Sequence, residues 1–201
     1  MSALDISNDA GLVALGLLTL NILLGLLLSV KYNPVRNWPH RRVNTVLIHN
    51  WTGYTALAVA FLHPVILLFS DSAKFGIANV LWPLGAPKQP VIVTLGAVAF
   101  WLLLFVVTTS VLWQERRTLS RRTWKLFHFA TYAIFPLYSV HGLFTDPALK
   151  DNPIDFLDGE KVLVEVCVLV VVIAIGFRIR HQLRQPPGRV HRAKATRNAN
   201  A

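Results

Sequence analysis

Apolar residues fill five long runs, roughly 11–30, 44–69, 91–113, 125–145 and 161–177, and polar residues collect in the short stretches between them. About twenty apolar residues in helical form match the hydrocarbon thickness of a bilayer, so each run predicts a transmembrane helix. The connections are too short to hold a separate soluble domain. The expected fold is an all-α membrane protein, a bundle of five transmembrane helices spanning residues 11–180. Residues 1–10 form a short outer N-terminus on this reading. The stretch 181–201, "HQLRQPPGRVHRAKATRNANA", is basic, broken by Pro-Pro-Gly and expected to be disordered on the anionic inner leaflet.

Charge orients the bundle. Of the 20 Lys and Arg residues, all but Lys74, Lys88, Lys150 and Lys161 fall in 31–43, in 114–125 or after the last run. Asp71, Asp146, Asp151, Asp155, Asp158 and Glu160 gather on the opposite side with Asp5 and Asp9. The positive-inside rule gives an N-out, C-in topology, and an odd number of spans requires termini on opposite sides. The net charge of +10 therefore reads as topology and not as a nucleic-acid surface. The mean hydropathy of +0.49 and a charged fraction of 15% agree. The acidic start of the chain is unlike a cleavable secretory signal. One cysteine, Cys167, excludes within this chain a disulfide framework, a thiolate-held cluster and covalent c-type haem attachment.

Within this apolar background, "IHNWTGYTALAVAFLHP" carries His49 and His63, and "RRTWKLFHFATYAIFPLYSVHGLF" carries His128 and His141. Both runs start inside. The separations, fourteen and thirteen residues, correspond to rises of about 21 and 20 Å. His49 thus matches His128 in depth, and His63 matches His141. An interfacial histidine explains any one of them, but not two level pairs. A bare metal ion wants further ligands, and Asp, Glu and Cys are missing at these depths. A proton relay wants carboxylates. Haem iron needs only the two axial imidazoles, and its apolar macrocycle suits a site between helices. Two haems, one near each leaflet, would form an electron path. On a straight helix fourteen steps return to within about 40° of one face, whereas thirteen end about 140° away. Pro136 is expected to kink or rewind that helix.

The spacings His49-x13-His63 and His128-x12-His141, with "TSVLWQERRTLSRRTWKLFH" leading into the second pair, resemble the ferric reductase-like transmembrane domain family over roughly residues 10–180. That family includes the membrane core of NADPH oxidases and ferric reductases and the haem subunit of bacterial methionine sulfoxide reductase systems. The resemblance implies an inner haem b on His49 and His128 and an outer one on His63 and His141. It implies an oxidoreductase component in a membrane, with the bacterial inner membrane expected. The family's usual six spans are here five, and no G-x-G-x-x-G fingerprint follows the last one. Electrons are then expected from a separate flavoprotein, a partner's flavin or quinol. The expected acceptor is ferric iron, oxygen or a periplasmic reductase. A cofactor-free transporter or assembly factor, or a non-catalytic haem anchor of a larger complex, are the rival readings.

Other residues take supporting roles. Arg42 and Arg121, with Arg41, Arg117 and Arg122, lie near the inner level, where their forks suit haem propionates or simply set topology. Trp51 and Trp124 read as interfacial belt residues. Gly53 and Gly142 would admit a porphyrin or a close helix contact. Phe135 reads as packing or as filler between haems, and Asn21 as a bond to a neighbouring helix. The outer segment "TDPALKDNPIDFLDGE" is an acidic mouth for ferric ion or a plain solvated loop. His40, His181 and His191 read as solvated.

Overall fold

The structure, a computed structural model, describes residues 1–30, 44–116, 118–150 and 152–184. Seven α-helices account for most of them: α1 Ala3–Ser29, α2 Thr45–Leu67, α3 Ile77–Leu81, α4 Pro90–Glu115, α5 Arg121–His128, α6 Thr131–Phe144 and α7 Gly159–Leu183. Among the described residues there is no strand. The basic stretch around Arg41 and Arg42, Arg117, and the tail from residue 185 lie outside them.

Local chemistry sets the helix starts. α1 begins at Ala3, ahead of the first apolar run, because Ser2 and Asp5 form a capping box: Asp5 N donates to Ser2 Oγ and Ser2 N to Asp5 Oδ2. Asn44 Oδ1 accepts from Val46 N and Leu47 N to open α2. Pro90 stands in the first turn of α4, where its missing N–H costs nothing. Ser120 Oγ accepts from Thr123 N to start α5.

Among the described residues three helices, α1, α4 and α7, are long and apolar enough to cross a membrane. In α7 only 11% of the most apolar window is buried, and Leu169, Val172, Ile173 and Phe177 stand exposed along it. A helix so apolar and so little covered by protein is solvated by lipid. This is an integral membrane protein. The two other apolar runs became the histidine-bearing elements. α2 has 23 residues but is diluted by His49, Asn50, Thr52 and His63. The fourth run is split into α5 and α6, neither long enough alone.

α1 lies antiparallel to α2 and α4 to α6, which are the two most extensive helix pairings, and α7 closes against α1 and α6. The core between them is Leu15 and Leu18 of α1, Ala56 of α2, Ala99, Leu103 and Val106 of α4, Ile134 and Tyr138 of α6, and Val164 of α7. Phe135 packs edge-on to Tyr138 at this core. Thus the packing reading of Phe135 holds. Gly53 faces the Asn21 side chain and Gly142 faces Leu15 and Val164, so both serve helix contacts.

The break between α5 and α6 falls at Phe129–Ala130, upstream of Pro136. There the ladder tightens: Ala130 N bonds to Phe127 O, Tyr132 N to Phe129 O and Ala133 N to Ala130 O, each three residues back. Thr131 Oγ1 donates to His128 O at 2.8 Å, supplying a partner to a carbonyl the ladder skips. A 3₁₀ turn advances about 120° per residue against about 100° in an α-helix. About four overwound residues therefore recover about 80° of the 140° deficit between His128 and His141. Pro136 sits within α6 without ending it.

Candidate haem-ligand site

The structure brings the four histidines together as two pairs. The imidazole centroids of His49 and His128 are 6.3 Å apart with planes at 67°. Those of His63 and His141 are 6.4 Å apart at 70°. Each pair joins α2 to the α5–α6 segment. The pairs match the depth assignment made from spacing.

Hydrogen bonds prepare three of the rings. His63 Nδ1 donates to Ser7 O at 2.7 Å, His49 Nδ1 to Asn21 O at 3.1 Å and His141 Nδ1 to Ile92 O at 2.9 Å. A carbonyl can only accept, so the proton is on Nδ1 and the lone pair is on Nε2. That is the tautomer of an imidazole ready to ligate a metal. Ser7 Oγ also donates to His63 O, so Ser7 ties down both ring and backbone, and Thr145 Oγ1 donates to His141 O.

The access is provided by glycines. Ser7, Asn21 and Ile92 are each followed four residues later by a glycine: Gly11, Gly25 and Gly96. A helical Cβ leans over the preceding turn and shades the carbonyl there. A Cβ at Gly11 would meet the His63 ring at 3.2 Å, one at Gly25 the His49 ring at 3.4 Å, and one at Gly96 the His141 ring at 2.8 Å. Sequence reasoning missed these residues because α1 and α4 carry no histidine. A signal existed: Gly11 and Gly25 are fourteen apart on α1, as His49 and His63 are on antiparallel α2.

His128 is held differently. Its Nδ1 is buried without a hydrogen-bond partner among the described residues. The ring lies 5.2 Å from Trp124, which stacks on Trp113 at 4.2 Å and 15° and donates from Nε1 to Ser110 Oγ. Trp124 is therefore a packing wall for His128, with Trp113 of α4 offering it an aromatic face. Trp51 is 62% exposed, as a lipid-facing or interfacial ring requires. Asn21 does join helices: its Nδ2 donates to His49 O and Thr52 Oγ1.

An apolar cavity has His63, His141, Gly11, Gly96, Phe61 and Tyr138 on its wall. Among the described residues its charged lining is Glu160 and Lys161. Lys161 is 4% exposed, and its Nζ donates to Gly142 O and Thr145 O, capping the end of α6. The sequence showed this lysine only as an outer-loop charge. Arg121 is exposed in the first turn of α5, seven residues before His128. Arg42 lies outside the described residues.

The acidic segment that follows α6 is built for turns. The Asp146 carboxylate accepts from Ala148 N, Lys150 N and Asn152 N at 2.8–2.9 Å. Burial works against its charge, but these N–H groups and the Lys161 ammonium hold the carboxyl below the usual carboxylate range. Asp155 accepts from Leu157 N. A carboxyl lowered in the folded state stabilises fully above its ordinary range and loses that contribution as pH falls through the lowered value. We expect acid melting of the detergent-solubilised protein to begin at higher pH in Asp146→Asn, with about 1–3 kcal/mol lost at neutral pH. An acid-melting curve unchanged by the substitution would show that the turn carries no such weight.

Do these donors fit a haem? Among the described residues no three His, Cys, Asp or Glu side chains converge, so each level offers two imidazoles and nothing more. That donor set suits a group that brings its own equatorial ligands. A metal ion held between two imidazoles at about 2.0 Å per metal–nitrogen bond would call for ring centroids about 6.4 Å apart. Both pairs meet this separation. The residues fit the group.

A helical membrane domain that pairs imidazoles from different helices at two levels is the class that fold and site define. Within it, the chain belongs to the family described as ferric reductase like transmembrane component, whose model matches residues 10–139. The matched region holds His49, His63 and His128 and ends two residues before His141. Neither a curated protein nor a solved structure matches the chain.

Proposed function

We propose that residues 11–180 form a bis-haem b domain that passes electrons across the membrane, from an inner-side donor to an outer-side acceptor. Five spans carry it: α1, α2, α4, the α5–α6 segment and α7, in the N-out, C-in sense of the charge distribution. The single observation behind this reading is the pairing of imidazoles at 6.3 and 6.4 Å, with Nδ1 of three of them occupied by backbone carbonyls.

His49 and His128 would hold the inner group, and His63 and His141 the outer one. An iron porphyrin bound there would supply one-electron chemistry. The chain's own residues do the rest. α1 and α4 hold the rings by their carbonyls, and the apolar wall of Phe61, Tyr138 and neighbouring residues keeps water from the outer level. Lys161 brings a cation to the outer cavity, where a propionate would find it. Arg121 and Arg42 are the corresponding candidates at the inner level. Outward electron movement across an inside-negative membrane is favourable by about 2.3 kcal/mol per charge per 100 mV.

The donor on this reading is a flavoprotein, a partner's flavin or quinol, and the acceptor ferric iron, oxygen or a periplasmic reductase. The bacterial inner membrane is the setting that agrees with such partners. A reduced-minus-oxidised spectrum of the purified protein, with pyridine haemochrome quantification, tests the proposal. Two low-spin b-type haems per chain are expected. A protein that stays colourless after expression with haem supplied, while folded by circular dichroism, would overturn it in favour of a cofactor-free role.

A further inference from the structure

We infer that Gly11, Gly25 and Gly96 are positioning residues that fix the tautomer and orientation of His63, His49 and His141. Their role as supports of metal ligands rests on the function proposed above, but the contact itself does not. The same arrangement occurs three times on two different helices. A carbonyl at residue i accepts Nδ1–H, and a glycine at i+4 leaves that carbonyl open. A helical carbonyl has a second lone pair after its ladder bond, so it receives the imidazole without breaking the helix. At Gly96 and Gly11 a side chain would press on the imidazole, and at Gly25 a methyl would just touch it. The repeat is not a general looseness of α1, since Gly16 on the same helix has nothing within 4 Å of an added Cβ.

The three sockets differ in tightness. An added methyl would come to 2.8 Å from the His141 ring at Gly96, to 3.2 Å from His63 at Gly11 and to 3.4 Å from His49 at Gly25. The first distance requires the ring to move, the second presses on it, and the third is ordinary contact. The expected severity is Gly96→Ala above Gly11→Ala above Gly25→Ala. Displacing a ring that is bonded through Nδ1 releases the tautomer and turns Nε2 away from its partner imidazole. Both tight sockets belong to the outer pair. His128 has no such socket among the described residues and rests on Trp124 instead, so the inner pair has one socketed ring.

The test uses the full chain purified from membranes, with Gly16→Ala and Gly176→Ala as controls in open space. In the haem-loaded protein, Gly96→Ala should weaken retention of the outer haem about 10–100-fold, the scale seen when a ligand's supporting bond is lost. Gly16→Ala should leave it unchanged. In haem-free protein, Gly96→Ala should lower the melting temperature, and the drop should vanish in a His141→Ala background because the obstructing ring is gone. Histidine-labelled nitrogen NMR of the haem-free protein should show the Nδ1–H form for His49, His63 and His141. Gly96→Ala should convert His141 to a mixture of tautomers. Outer-haem retention in Gly96→Ala equal to that in Gly16→Ala, or a melting defect undiminished in the His141→Ala background, would overturn the inference. The haem-free arms remain decisive if the wild-type protein binds no haem, an outcome that would count against the proposed function alone.

Discussion

On the proposed bis-haem reading, replacing His63 and His141 together is expected to leave one haem per chain, whereas replacing His49 and His63 together is expected to leave none. This contrast follows from the pairing of the rings by level, at 6.3 Å for His49 with His128 and 6.4 Å for His63 with His141. Each haem on this reading needs one imidazole from α2 and one from the α5–α6 segment. Any single His→Ala change therefore halves the haem content. A second change at the same level costs nothing more, and one at the other level removes the remainder. Pyridine haemochrome counts on the four single and six double alanine variants decide it. If same-level doubles lost both haems, or if pairs along α2 behaved as a unit, assignment by depth would be wrong. Transmembrane electron transfer, measured in vesicles with a dye reductant inside and ferricyanide outside, should fall to background in every variant lacking either level.

Loss of the Trp124 ring should act on the inner level alone. Trp124 stands between Trp113 and the His128 ring, and no hydrogen bond among the described residues restrains Nδ1 of His128. Stacking is thus the main restraint on that imidazole. Trp→Ala in a full core costs about 3–5 kcal/mol, and for this half-buried ring we expect about 2–3 kcal/mol. The inner haem should be lost or converted to a high-spin form, with the outer one retained. Trp124→Phe keeps an aromatic face and gives up only the Nε1 bond to Ser110, about 1 kcal/mol, so it should keep both haems. Equal loss at the two levels in Trp124→Ala would mean that the tryptophan supports the bundle as a whole.

Much of the site was legible beforehand for a physical reason. Histidine in lipid is costly, so its positions stand out against Leu, Val and Phe, and a constant rise per residue turns spacing into depth. The glycine sockets were not legible, since a missing side chain is silent until its neighbour is known. Gly53 and Gly142, chosen for nearness in sequence to a histidine, turned out to face Asn21, Leu15 and Val164 across helix contacts. The relevant glycines were on the helices opposite. The contacts of Trp124 were hidden likewise: a tryptophan at a helix end suits a membrane interface by default, and only the structure sets it between Trp113 and His128.

The thirteen-residue spacing is the sharpest example. Proline is the visible helix breaker, and Pro136 drew the kink to itself. The change of winding occurs instead at Phe129–Ala130, in residues with no turn chemistry of their own, with Thr131 supplying the skipped carbonyl of His128. Tertiary demand, to bring both imidazoles toward α2, overrides local propensity there.

By itself the sequence determined helical character, the apolar surfaces that require lipid, and which imidazoles share a level, because hydrophobicity and helix rise are local properties of the chain. Only the tertiary structure decided which carbonyls accept each ring, which glycines make room for them and where the fourth apolar run changes its winding. Those are contacts between helices, and a contact between two helices is written in neither one alone.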